Sequence, residues 1–154
     1  MRHAIPMEAT LELVKKWCGY LGFDIKVGFE GSGNELLFPN RMSLVGPDAL
    51  HLLSDKSQPL EALQFLLHEA QGERESSKLV YLDVQGSRLF RMREMVAMAE
   101  IAAKKARETG SYAFVSLTSK ERRWIHLTIG KESDLETHSE GFGAHKSLKV
   151  CRKT

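Results

Sequence analysis

From Ser87 to Gly110 the residues Leu89, Met92, Val96, Ala99, Ala103 and Ala106 recur at helical spacing, with no proline or glycine between. Apolar side chains three and four apart fall on one face of a helix. The stretch therefore predicts a long helix, capped by Ser87 and stopped by Gly110. Such a helix divides the chain, and Gly86 just before it is the expected domain boundary. Residues 1–85 and 86–154 are then two modules. A chain of 154 residues buries roughly 68–70% of the surface its unfolded form exposes, enough for a core without staples.

The first half alternates helix and strand signals. Leu11, Val14, Cys18 and Leu21 predict a helix from Glu8 to Leu21, closed by Gly22. Ile25, Val27 and Phe29 alternate as a half-buried strand over Asp24 to Glu30. A hairpin turn at Gly31-Ser32-Gly33-Asn34 returns the chain along Glu35 to Pro39 as a second strand. Pro47 suits the first turn of a short helix to Leu53. A polar break at Ser54-Asp55-Lys56-Ser57 precedes a helix from Pro59, with Leu60, Leu63, Leu66, Leu67 and Ala70 on its buried face and its end near Gly72. Gly72 to Ser77 reads as a linker, and Lys78 to Gln85 as a buried strand.

Beyond the long helix, Tyr112 to Leu117 reads as a strand. Thr118 and Glu121 form a capping box, yet Ile125, Leu127 and Ile129 alternate as a strand would. The cap favours a helix over residues 119–128. Leu135 to Ser139 and Ser147 to Arg152 are two strands joined by Glu140-Gly141-Phe142-Gly143.

The net charge of +2 conceals an asymmetry: residues 1–77 hold seven Lys/Arg against eleven Asp/Glu, and residues 78–154 hold fifteen against nine. A basic half points to a polyanion as partner. Cys18 and Cys151 lie far apart with no CxxC spacing, which suits reduced thiols in a cytoplasmic protein. No apolar run approaches the ~18 residues of a membrane span, so no membrane association is expected.

The element order, α-β-β-α-α-β followed by α-β-α-β-β, predicts an α+β fold. The first block resembles a type II KH domain, and the second a small α/β R(3)H domain with a three-stranded sheet, named for an Arg and a His with three residues between. Leu60-Glu61-Ala62-Leu63-Gln64-Phe65-Leu66, Leu82-Asp83-Val84, Glu121-Arg122-Arg123-Trp124-Ile125-His126-Leu127 and Ser139-Glu140-Gly141 carry the likeness. In this order they resemble the Jag family, the bacterial SpoIIIJ-associated proteins, over nearly the whole chain. The resemblance implies non-catalytic binding of single-stranded RNA or DNA, with post-transcriptional control linked to cell division or envelope growth. It also implies that the family's Jag-N segment is missing, since Glu8 already begins the KH helix.

Arg122 and His126 are four apart and share a helix face. A guanidinium offers a planar fork of donors to a phosphate, and an imidazole adds a hydrogen bond or, once protonated, a charge. On spacing alone the pair better suits a surface Arg and a core-facing His, since such pairs are common on helices; the resemblance reverses this and makes it the nucleic-acid contact. Arg123, Lys120, Lys146, Lys149, Arg152 and Lys153 would add electrostatic support along a phosphate backbone. Trp124 suits a core anchor better than a base-stacking platform, and Phe142 stands in a glycine-flanked turn.

A KH domain clamps nucleic acid with a GXXG loop. The matching positions here are Ser54, Asp55, Lys56 and Ser57, with both glycines replaced and an acid added. The KH module is therefore expected to serve as scaffold or as a contact for a protein partner. Enzyme and cofactor readings find no footing. Gly31-Ser32-Gly33 lacks the lysine of a P-loop. The spacings of His126, His138, His145 and Cys151 match no standard zinc site, and no nucleophile comes with an evident base.

Overall fold

The computed structural model describes residues 5–30, 40–73, 75, 78–142 and 146–153. The expected hairpin turn at Gly31–Asn34, the strand Glu35–Pro39 and parts of the Gly72–Ser77 linker, together with Gly143 and His145, lie outside them. The chain forms two compact units, Met1–Leu89 and Phe90–Thr154.

The first unit opens with helix α1, Met7–Tyr20. Thr10, Val14 and Cys18 recur every fourth residue and are its buried side. Gly22, at φ 71°, takes the left-handed position that ends helices cheaply, and Phe23 N–H donates back to Cys18 O at 3.0 Å. Strand β1, Lys26–Phe29, pairs antiparallel with β2, Arg41–Val45, and β2 pairs parallel with β3, Tyr81–Val84. The sheet order is β1-β2-β3. The described partner of β1 is thus Arg41–Val45, a segment the sequence pattern does not mark as a strand. Met42 and Leu44 are fully buried and Ser43 nearly so. Met42 and Leu44 do alternate with Arg41 and Ser43, but the pattern spans only four residues before Val45 breaks it.

After β2, Gly46 passes so close to Asp24 that a Cβ there would lie 2.3 Å from its carbonyl oxygen. The helix expected from Pro47 is shorter and tighter, a 3₁₀ turn over Ala49–Leu53. Next comes α2, Ser54–Gln71, whose Asp55, Lys56 and Ser57 stand at φ 45°, 56° and 63°. The polar break is therefore a left-handed turn, and regular helix resumes beyond it with Pro59 in its first turn. Leu60, Leu63 and Leu67 of α2 join Val14, Cys18, Met42, Leu44, Leu52, Val80, Leu82 and Val84 in one apolar cluster. Leu66, expected inside, is half exposed.

The outer edge of β3 is covered by side chains of α2. Gln64 Oε1 accepts from Leu82 N–H and Gln64 Nε2 donates to Val80 O, both at 2.8 Å, while Gln71 Oε1 accepts from Val80 N–H at 3.2 Å. Arg88 completes the edge by donating to Leu82 O at 2.8 Å and to Glu61 at 2.7 Å. Burial pushes the Arg88 guanidinium down from its ordinary value, opposed by the charges of Glu61 and Asp83.

Helix α3, Ser87–Thr109, follows a turn in which Gln85 and Gly86 have positive φ. Ser87 does not cap it as expected: its Oγ is buried without a hydrogen bond. Asp83 supplies the acceptor instead, taking Arg88 N–H at 2.9 Å.

In the second unit Met92, Met95, Ala99, Ala102, Ala103 and Ala106 are the buried side of α3. Strands β4 (Ser111–Phe114), β5 (Leu135–Glu140) and β6 (Ser147–Arg152) form an antiparallel sheet of order β4-β6-β5. Helix α4, Ser119–Ile129, stands between β4 and β5 in sequence and buries Trp124, Ile125 and Ile129. Phe114, Leu135, Leu148 and Val150 are the buried side chains of the sheet. Lys105 of α3 lies over the Tyr112 ring of β4, 5.3 Å from its centroid. Arg107 near the end of α3 is tied to Glu132 and Asp134 at 2.6 and 2.7 Å. Among the described residues, no helix is long and apolar enough to cross a membrane.

Candidate nucleic-acid interface

The site is built on α4, and the sequence fixes the start of that helix. Thr118 Oγ1 accepts from Glu121 N–H at 3.3 Å, and Glu121 Oε2 accepts from Thr118 N–H at 2.8 Å. This reciprocal cap satisfies donors that a helix otherwise leaves open. It is why residues 119–129 are helical although Ile125, Leu127 and Ile129 alternate. Arg91 of α3 donates to the second oxygen of Glu121 at 2.7 Å. Burial raises the Glu121 carboxyl, but the Thr118 and Arg91 hydrogen bonds outweigh it and hold the group below its ordinary value.

With Trp124 and Ile125 turned inward, the opposite side of α4 presents Ser119, Arg122, Arg123 and His126. Together with Thr137, Ser139 and Leu148 of the sheet they line an open groove of about 440 Å³. Three basic side chains and three hydroxyls meet there, and among the described residues no carboxylate lines it. Arg122 is half-buried and fixed: Nη1 donates to Leu117 O at 2.7 Å, and Nη2 to Ser119 Oγ at 2.9 Å. A guanidinium has five N–H donors, so a fork anchored through two of them still has donors for a ligand. His126 is exposed, and its Nδ1 is hydrogen-bonded to Thr137 Oγ1.

Not every expected contact reaches this groove. Arg123 lines it, whereas Lys120, exposed in the first turn of α4, is not among its lining residues. Lys146 sits just ahead of β6 and is half-buried. Lys149 pairs with Ala113 and His138, whereas Leu148 pairs with Phe114 and Ser139. Neighbours along a strand point to opposite faces, so Lys149 lies on the far side of the sheet from Arg122 and His126. Glu136, His138, Glu140 and Cys151 share that far face by register. Lys153 Nζ donates to Ser133 O at 3.0 Å. Trp124 is buried and offers no stacking surface, while Phe142 is 92% exposed.

Thr137, Ser139 and Ser119 escape a reading of the sequence. Isolated hydroxyl residues on strands carry no motif, and only the β5–β6 register puts Thr137 and Ser139 on the helix-facing side. Around the left-handed turn of the first unit, Ser54 Oγ donates to His51 O at 2.7 Å. Among the described residues, no group of three or more His, Cys, Asp or Glu is placed to hold a metal ion.

Residues 93–152 match the R3H domain. The match begins within α3 and takes in α4 and the whole second sheet, so the groove lies inside it. R3H domains generally bind single-stranded RNA or DNA and are not known to be catalytic. No curated protein matches the chain.

Proposed function

We propose that the chain binds single-stranded RNA without catalysis, gripping backbone phosphates through Arg122 and His126 with Arg123 and Lys120 beside them. The observation that carries this reading is the groove on α4: a fixed guanidinium, a second arginine and an imidazole converge with hydroxyls, and no carboxylate is among the described residues that line it. Contacts of this kind hold a backbone and carry little sequence information. Single-stranded DNA offers the same phosphates and would use the same residues. The resemblance to the Jag family adds a bacterial, cytoplasmic setting and a role in post-transcriptional control linked to cell division or envelope growth.

Under the same reading residues 1–85 are a KH-like domain and residues 86–154 the nucleic-acid-binding domain. The Ser54–Ser57 turn would be a poor phosphate clamp, because the Asp55 carboxylate repels what Lys56 attracts. A second reading makes the first unit a contact for a protein partner. It is favoured by Phe65 and Leu66, which are 64% and 51% exposed on neighbouring positions of α2.

Fluorescence anisotropy with labelled single-stranded RNA and DNA across a salt series tests the proposal. Log affinity should fall linearly with log salt. Arg122→Ala combined with His126→Ala should weaken binding severely. Unchanged affinity in that variant, shown to be folded by circular dichroism, would overturn the assignment.

A further inference from the structure

We infer that the outward face of α3 is a dimer interface, on which a second copy of the chain packs its own α3 antiparallel. Phe90, Ala97 and Ile101 all belong to the second unit. Their spacing of seven and then four residues sets them on one line of a helix. All three are exposed, Phe90 at 67% and Ile101 at 57%, and Met98 flanks them, also exposed. At about 100° per residue this line falls opposite the buried Ala99 and Ala106, so α3 is apolar on two sides. A surface helix ordinarily turns charged residues away from its core, and an apolar strip left in water marks a contact surface.

The charges on the same line identify the occupant. Glu94 stands between Phe90 and Ala97, and Lys104 follows Ile101, so the stripe is acidic toward one end and basic toward the other. A parallel copy would set Glu94 against Glu94 and Lys104 against Lys104. Turned antiparallel, each Glu94 meets the Lys104 of the other copy. The same register lays Ile101 over Ala97, a large side chain against a small one, because both pairs have their midpoint at Ala99. Each contact then occurs twice, as a two-fold interface requires. Glu94 also pairs with Arg91 at 3.1 Å, but both side chains are exposed. An ion pair of that kind contributes little and does not hold the carboxylate back. The dimer carries two copies of the α4 groove, so a strand that reaches both is held with avidity.

Sedimentation equilibrium of the full chain without nucleic acid, from micromolar to millimolar concentration, tests the interface. The mean mass should rise from monomer toward dimer. Ile101→Glu changes an exposed side chain and should remain a monomer, with its helical circular-dichroism spectrum intact. Glu94→Lys and Lys104→Glu should each weaken association on the order of tenfold, the effect of facing like charges. The double variant, Glu94→Lys with Lys104→Glu, should regain the original association constant. A full chain that is monomeric at every concentration overturns the inference and leaves the stripe to a different partner. An Ile101→Glu variant that dimerises like the original also overturns it. So does a double exchange that fails to recover, since the antiparallel register is what brings the two charges together.

Discussion

The Arg91 guanidinium Nε lies 2.7 Å from Glu121 Oε1, joining α3 to the first turn of the helix that carries the groove. The same carboxylate closes the cap with Thr118. Removing the cap hydroxyl in Thr118→Ala should cost about 1 kcal/mol, measured by urea unfolding. Glu121 has its folded value depressed, so its charge stabilises the fold above the ordinary glutamate range. That contribution should disappear as pH falls through the depressed value. Glu121→Gln should lower stability near neutrality and weaken its dependence on acid.

Asp134 gives a second acid-linked prediction with a defined window. The hydrogen bond from Arg107 holds its carboxyl down at about 2, from an ordinary 3.8. A depressed acid stabilises the folded state above its unfolded value and loses that effect as the proton binds. The contribution of Asp134 should thus be complete above the ordinary value of 3.8 and fade as the pH is lowered to about 2. Thermal unfolding of Asp134→Asn across that window should show a flatter acid limb. Both partners are exposed, so the effect at neutral pH should be small.

Gly46→Ala should destabilise the first unit by roughly 1–3 kcal/mol, the usual range for forcing atoms into occupied space. The obstacle is backbone, the Asp24 carbonyl 2.3 Å from the added Cβ, and it has no rotamer by which to yield. Gly28→Ala is the matched control, since nothing lies within 4 Å of its Cβ position. Comparable losses in the two variants would refute the steric account.

At the left-handed turn the expectation reverses. Three consecutive residues other than glycine, Asp55, Lys56 and Ser57, have positive φ, and each bears roughly 1–2 kcal/mol in that conformation. Asp55→Gly should raise stability by on the order of 1 kcal/mol, less what the freer unfolded chain takes back. If the turn is disabled as a phosphate clamp by its acid, RNA affinity should rise in the same variant.

Sheet register separates the basic residues of the second unit. Lys149→Ala should leave oligonucleotide affinity within about twofold, because one half-buried charge on the far face of the sheet lies beyond the contact surface and is screened by salt. Arg123→Ala, on the groove, should weaken binding and reduce the salt slope. Equal losses would extend the contact surface to the outer face of the sheet.

The parts of the fold legible in the sequence are those whose signal is local. The Thr118–Glu121 cap resolved an ambiguous stretch into α4, and Gly22, Gly72 and Gly110 mark helix ends at the expected places. Arg41–Val45 was illegible because its alternation of Met42 and Leu44 with Arg41 and Ser43 lasts only four residues, too short a signal to mark a strand. The start of α3 misled for another reason, since its acceptor is Asp83 across a turn rather than the adjacent Ser87. At the groove, Arg122, Arg123 and His126 follow from helical spacing. Thr137 and Ser139 depend on strand pairing, which no short window contains. Lys149 could have been set apart by its alternation with Leu148 and Val150, had that strand been read face by face.

The glutamines on α2 have a consequence for how this chain behaves in company. Between Val80 and Leu82 the outward peptide groups of β3 are already bound by Gln64, Gln71 and Arg88. A strand from another molecule therefore finds no free ladder to extend there, and cross-β stacking cannot begin along that stretch. The protection depends on amides that both donate and accept. Gln64→Glu would take away the nearer donor to Val80 O, leaving only His68 Nε2 at 3.1 Å, and would weaken the cover of that edge even where the apolar core beneath it is intact.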